Sequence, residues 1–231
     1  MMTKSPVLIG LFALLISFSV KAEISAKSYL VQDMSGTNIL QKEPNKVRPI
    51  ASITKLFSVS AAIDKLPESD LVNKLLDASL IASDNKAASK LWALAGKPKM
   101  TRGNLPLTEI FEPTGLSKSN VSTATELAQL AKELFETKIA KISIKSHSSH
   151  FQKLRVTNKL IGEDGWVFHL SKTGWTKSAG GCIIAIVEVK DKPMIFVILG
   201  STSVKQRWKD LQELKNLTEK AINTQNSESR I

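Results

Sequence analysis

The sequence predicts an α+β fold in which one antiparallel sheet is built from both chain ends and flanked by helices. Three observations predict it. Strand-like patterning is confined to residues 26–41 and 165–199, and helical periodicity occupies much of the stretch between. A final amphipathic pattern then sets Trp208, Leu211, Leu214 and Leu217 on one face. With 231 residues, 42% of them apolar and 23% charged, the chain can bury a core of one domain with a sub-domain.

Taken in order, residues 26–34 alternate weakly and are rich in β-formers. Ser35-Gly36-Thr37 supplies a turn, residues 38–41 a return strand, and Pro44-Asn45 closes the hairpin. From Ser52 the period becomes helical, with Leu56, Val59, Ile63 and Leu66 at three- and four-residue intervals, until Pro67 breaks it. Helices are expected over 71–81 and 86–94, the latter ended by Gly96 and Pro98. Residues 97–116 lack regular pattern. Thr123-Ala-Thr-Glu126 is a capping box opening a helix with Leu127, Leu130, Ala131 and Leu134. Residues 145–150 read as a polar loop, and strands follow over 165–176, 182–189 and 194–199, with Asp191-Lys-Pro193 turning between the last two.

Residues 1–22 read as a secretory signal peptide and 23–231 as the folded domain. Lys4 gives a positive start, residues 7–20 are mostly apolar, and Val20 and Ala22 occupy the −3 and −1 places of a small-residue cleavage site. A spanning helix needs about 20 apolar residues, so a retained anchor is the alternative and a cleaved leader the expectation. No cysteine follows the run to take a lipid. The expected compartment is the periplasm, reached through the Sec pathway, with peripheral or no membrane association.

Formal net charge is +11, of which Lys4 and Lys21 account for two, leaving +9 on the mature chain. That balance suits polyanionic surroundings such as a wall polymer. The lysines are scattered and there is a single tyrosine, so no basic stripe interleaved with aromatics points to nucleic acid. Cys182, the only cysteine, cannot form an intrachain disulfide; at the start of an apolar strand it reads as a buried small hydrophobe.

Three short elements carry the chemistry: Ser52-Ile-Thr-Lys55, Ser83-Asp-Asn85 and Lys172-Thr-Gly174. Each is weak alone, since Ser83-Asp-Asn-Lys86 is itself a second Ser-x-x-Lys. Ser52 could simply cap a helix, Ser83-Asp-Asn85 could be a helix cap or a turn, and Lys172-Thr-Gly174 a solvated strand end. Their value lies in order and context. Ser52 stands where strand pattern gives way to helix, near the positive end of the helix dipole, and Lys55 three residues on can reach its hydroxyl. A serine hydroxyl needs a base to take its proton, and a lysine serves only with a pKa lowered by desolvation or by neighbouring cations, of which Lys172 would be one. Gly174 would let a ligand approach the strand edge. A Ser-His-Asp triad is not indicated: there is no Gly-x-Ser-x-Gly, and His147 and His150 lie in a serine-rich loop without neighbouring carboxylates.

At these residues the chain resembles the serine D-Ala-D-Ala peptidases, the low-molecular-mass penicillin-binding proteins. The segments Arg48-Pro-Ile-Ala-Ser-Ile-Thr-Lys55, Phe111-Glu-Pro-Thr-Gly-Leu116, Asn120-Val-Ser-Thr123, Ser171-Lys-Thr-Gly-Trp-Thr176 and Ala179-Gly-Gly-Cys182 carry the resemblance, which is nearest the D-alanyl-D-alanine endopeptidase branch. It implies a β-lactamase/DD-peptidase-like fold and a catalytic set of Ser52, Lys55 and Ser83. It further implies that Asn85, Lys172, Thr173, Gly174 and Trp175 bind substrate, with backbone N–H groups of Ser52 and Trp175 as oxyanion donors. Ser52 would form an acyl-enzyme, Lys55 act as base and Ser83 relay a proton to the leaving amine. Asn85 would bond the substrate amide, and Lys172 and Thr173 the terminal carboxylate. The implied partners are peptidoglycan stems and cross-links and β-lactam antibiotics, with no metal or cofactor. Only 31 residues separate Ser52 from Ser83, fewer than the family usually carries, and the stretch from Leu94 to Leu105 is short too, so a shortened helical sub-domain is expected. Two other readings remain: a class A-like β-lactamase, for which Glu112 would have to activate water, and a non-catalytic wall-binding protein.

Overall fold

In a computed structural model of the chain, the described residues are 23–100 and 104–228, with side chains described as far as residue 224. The expected signal segment, residues 1–22, lies outside them.

Seven strands and six helices follow one another among these residues. The N-terminal hairpin pairs β1 (Ser28–Asp33) with β2 (Asn38–Lys42). Asp33 closes its turn by accepting from the Gly36 and Thr37 amides at 2.8 Å each. The C-terminal strands are β5 (Phe168–Thr176), β6 (Gly180–Val189) and β7 (Lys192–Ser201). All join one antiparallel sheet in the order β2-β1-β7-β6-β5. The expected sheet from both chain ends is therefore observed: Ser28 faces Leu199 and Asp33 faces Met194. The turn between β6 and β7 falls on Lys190 and Asp191, both at positive φ (52° and 59°), one residue before the expected position. That is the two-residue hairpin geometry whose twist suits the flanking strands.

β6 and β7 are apolar almost throughout because both sheet faces are covered. Ile183, Ala185 and Val187 point one way, with Phe196 and Ile198, toward Leu211 and Leu214 of α6 (Val204–Glu228). Ile184 and Ile186 point the other way, with Val197 and Leu199, into the helical layer. That layer holds α1 (Thr54–Ile63), α2 (Asp70–Leu80), α3 (Asn85–Leu94), α4 (Ala124–Leu134) and α5 (Lys138–Ser143). A small ladder, β3 (Arg48–Pro49) with β4 (Val121–Ser122), ties the entry to α1 to the entry to α4.

Only half of the expected capping box at α4 forms. Thr123 Oγ1 accepts from the Glu126 amide at 3.1 Å, but the Glu126 carboxylate turns outward to take the Leu107 amide at 2.8 Å and the Thr108 hydroxyl. It is thus used to anchor the irregular stretch before β4. No helix among the described residues is long and apolar enough to cross a membrane.

Candidate active site

Four segments meet at one edge of the sheet. The first is a short 3-10 turn, Ala51–Ile53, which precedes α1, so Ser52 stands on this turn rather than in the helix proper. Ser52 makes no capping bond; its hydroxyl faces Lys55 and the Thr114 carbonyl. Ala51 is held at φ 47°, a conformation costly for an L-residue, which re-aims the chain just before the serine.

Lys55 is fully buried yet saturated. Its Nζ reaches Ser52 Oγ at 3.0 Å, Asn85 Oδ1 at 2.7 Å and the Thr114 carbonyl at 2.6 Å, using all three N–H bonds of an ammonium. Burial pulls its pKa from 10.5 to about 8, against the opposing pull of Glu112 and Asp84. Of the two expected causes, desolvation acts on Lys55 and Lys172 does not. In the neutral amine, Asn85 Oδ1 and the Thr114 carbonyl can take the two remaining N–H groups. The lone pair then faces Ser52, the partner able to donate a proton.

The second segment is the loop between α2 and α3. The expectation of a plain helix cap holds for its middle residue: Asp84 caps α3 by accepting from the Ala87 amide at 2.7 Å. Its neighbours do otherwise. Ser83, at φ 59°, lines the cleft, and Asn85 opens α3 with its side chain on Lys55.

β5 provides the third segment. Lys172 is buried between the two halves of the site, donating to Ser83 Oγ at 2.9 Å and the Thr173 carbonyl at 3.1 Å. Burial holds its pKa well below the ordinary lysine value, reinforced by Lys55 and Arg207. Thr173, Gly174 and Trp175 line the cavity beside Ser52. A Cβ on Gly174 would lie 3.0 Å from the Ser52 nitrogen, the Ile50 carbonyl and the Ala51 side chain, so a side chain there would have to push the serine turn back by a few tenths of an ångström. The Trp175 ring stays 53% exposed at the mouth.

The fourth segment, residues 111–120, forms the floor. Glu112 accepts from the Thr114 amide and hydroxyl, the Gly115 and Ser117 amides, and Asn120 Nδ2. Burial pushes its pKa up, but these bonds outweigh it and leave the carboxyl below its usual range. Asn120 Oδ1 accepts from the Phe111 and Glu112 amides, and its Nδ2 also reaches Thr54 Oγ1 at 3.2 Å.

All eight expected site residues therefore converge. A ninth, Arg207 of α6, was not anticipated. It is buried, lines the same cavity of about 310 Å³, and donates to the carbonyls of Gly174 (3.0 Å) and Cys182 (3.3 Å) while stacking on Trp208. The only signal in the sequence was a charged residue beside the apolar stripe of α6, next to Trp208. Burial lowers its pKa to about 10. Cys182 is buried as expected, its thiol pushed up to about 11. The histidines lie elsewhere, although two do meet carboxylates in space: His150 is 3.2 Å from Asp70 and His169 2.9 Å from Glu188.

Comparison with known proteins agrees with this geometry. A sequence profile of D-alanyl-D-alanine carboxypeptidases matches residues 59–203, a stretch containing the second and third motifs. The chain is 27% identical over 242 residues to a D-alanyl-D-alanine endopeptidase of Escherichia coli, covering 85% of this chain and 78% of that protein. The corresponding endopeptidase of Pseudomonas aeruginosa matches with the same identity and coverage. A 242-residue match that takes up 85% of a 231-residue chain means that these relatives carry stretches missing here, in keeping with the short spacings. Among solved structures, penicillin-binding protein D2 of Listeria monocytogenes in a cefotaxime-bound form superposes with a TM-score of 0.72 at 25% identity, covering 85% of this chain and 98% of that one. With its profile matched over more than half its length and its motifs converging on one cleft, this chain belongs to the D-alanyl-D-alanine carboxypeptidase family.

Proposed function

We propose that this serine peptidase of peptidoglycan D-alanyl bonds acts mainly as an endopeptidase, with Ser52 as nucleophile and Lys55 as its base. The reaction class, with the accompanying susceptibility to β-lactams, comes with the family. The residue roles rest on one observation: a buried lysine whose neutral form is left with a lone pair facing Ser52.

In this reading Ser52 Oγ attacks the D-alanyl carbonyl carbon and passes its proton to Lys55 Nζ. The resulting oxyanion is met by the N–H groups of Ser52 and Trp175, the kind of preorganised donor whose removal costs about 2.7–4 kcal/mol elsewhere. As the C–N bond breaks, the proton that Lys55 took from Ser52 is relayed through Ser83 to the departing amine, which leaves Lys55 neutral for the hydrolytic step and Lys172, bonded to Ser83 Oγ, still charged. Asn85 bonds the substrate amide, and Lys172 and Thr173, backed by Arg207, hold the carboxylate beside the scissile bond. Water then hydrolyses the ester on Ser52. Residues 1–22 serve as the export signal and residues 23–231 work in the periplasm.

The β-lactamase reading is weaker than this one because Glu112, the carboxylate it would use, is already occupied by five donors on the floor of the site. Fluorescent penicillin should label the chain covalently and persistently, and Ser52→Ala should not label. Cross-linked muropeptides should be converted from dimer to monomer faster than D-alanine is released. Rapid turnover of penicillin, or release of D-alanine alone, would overturn the respective part of the proposal.

A further inference from the structure

The catalytic cavity is lined by three cations, Arg155, Lys159 and Arg207, and by no carboxylate. Arg207 uses Nη1 on the backbone carbonyls of Gly174 and Cys182, and its buried Nε has no partner among the described residues. Arg155 and Lys159 have exposed side chains with no ion-pair or hydrogen-bond partner among the described residues. Such uncompensated charge facing a cleft raises the local concentration of anions.

The segment that presents them is fixed to both catalytic walls. The Thr157 amide and hydroxyl both bond the Ile81 carbonyl, at 3.1 and 3.0 Å, just before Ser83. Asn158, buried, donates to Ser171 Oγ at 2.8 Å, just before Lys172. Arg155 and Lys159 flank this pinned pair, so the two charges are held at the cavity wall by the same elements that carry Ser83 and Lys172.

We propose that Arg155 and Lys159 form a second anion subsite, which takes a carboxylate of the peptide strand released by cleavage. The inference rests on the endopeptidase reading above and sharpens it. In that reading Ser83 faces the departing amine and Lys172 its carboxylate, and the Thr157 and Asn158 bonds seat Arg155 and Lys159 between those two walls. One carboxylate of the leaving group is already accounted for by Lys172 and Thr173. Free D-alanine has no second one. A leaving peptide stem does, in its glutamyl α-carboxylate and its terminal carboxylate. Two further cations on the leaving side thus favour a cross-link over a terminal D-alanine, a choice that the three motifs leave open.

Equilibrium binding to the Ser52→Ala chain tests this without depending on turnover. Two cross-linked muropeptide dimers are compared by calorimetry: one with the leaving strand's glutamyl and terminal carboxylates free, the other with both amidated. The free form is expected to bind about tenfold tighter at low salt, as a charge-assisted hydrogen bond predicts, and the preference should shrink at high salt. Adding Arg155→Gln and Lys159→Gln, both at exposed positions, should bring the two dimers to parity while the circular dichroism spectrum is unchanged. Parity before those exchanges, a preference that survives them, or no binding of either dimer would overturn the subsite. A preserved preference in a wild-type chain that cleaves no dimer would instead overturn the endopeptidase reading and leave the subsite standing.

Discussion

The ammonium of Lys172 stands 2.9 Å from the hydroxyl of Ser83, joining residues 89 positions apart in the chain. This contact closes the cleft between β5 and the loop before α3. Removing the hydroxyl by Ser83→Ala leaves a buried lysine with the Thr173 carbonyl as its remaining partner, so acylation by penicillin should slow by about a hundredfold, the usual scale of a lost proton-transfer group. Stopped-flow labelling measures it; a rate within twofold of wild type would detach Ser83 from the chemistry.

Acylation should follow the titration of Lys55. Its pKa of about 8 lies below the ordinary value of 10.5 because of burial, and the base is active when neutral. The rate should therefore be flat well above pH 8 and fall about tenfold per unit below it. Asp84 raises the Lys55 pKa, so Asp84→Asn, which retains a side chain able to cap α3, should move the ascending limb to lower pH. A limb that stays in place, or moves upward, would argue against Lys55 as the titrating base.

Gly115 should tolerate no side chain. Its φ is +89°, and a Cβ there would lie 2.1 Å from the Ala51 carbonyl oxygen and 2.7 Å from the Ser52 nitrogen. Gly115→Ala must push the serine turn away, and displacement near 1 Å can cost about a hundredfold in rate. Labelling kinetics on the soluble, folded fraction should show that loss.

Asn120 is fully buried and satisfies the Phe111 and Glu112 amides, the Thr54 hydroxyl and the Glu112 carboxylate. Asn120→Ala should destabilise the protein by about 2–4 kcal/mol, from several orphaned groups, read as a lowered midpoint in urea unfolding. The same variant should lose ordering of the floor that carries Thr114, and with it part of the acylation rate.

Much of this arrangement was legible because local signals and global fold agree. The period change at Ser52, the cap at Asp84 and the apolar runs of β6 and β7 are written in short windows. What was not legible depends on distance. Nothing near Glu126 reveals that its carboxylate serves Leu107 and Thr108 instead of its own helix end. The short α5 and the two-residue ladder of β3 with β4 are stabilised by their surroundings and are too brief to show a period. Lys55 and Lys172 were identified as neighbours, yet which force lowers Lys55 depends on how deeply the fold encloses it. Arg207 has no local signature because its role is set by β5 and β6 packing across it, not by its own helix.

The pairing of β1 with β7 has a consequence for how the chain is made. The first strand to leave the ribosome belongs beside one of the last, and the sheet has no central pair until β7 has been synthesised. Contacts this far apart form late and slowly. A growing chain therefore passes most of its synthesis without a closed sheet. That is the form that the proposed export would require, since a pore passes an open polypeptide and not a folded sheet.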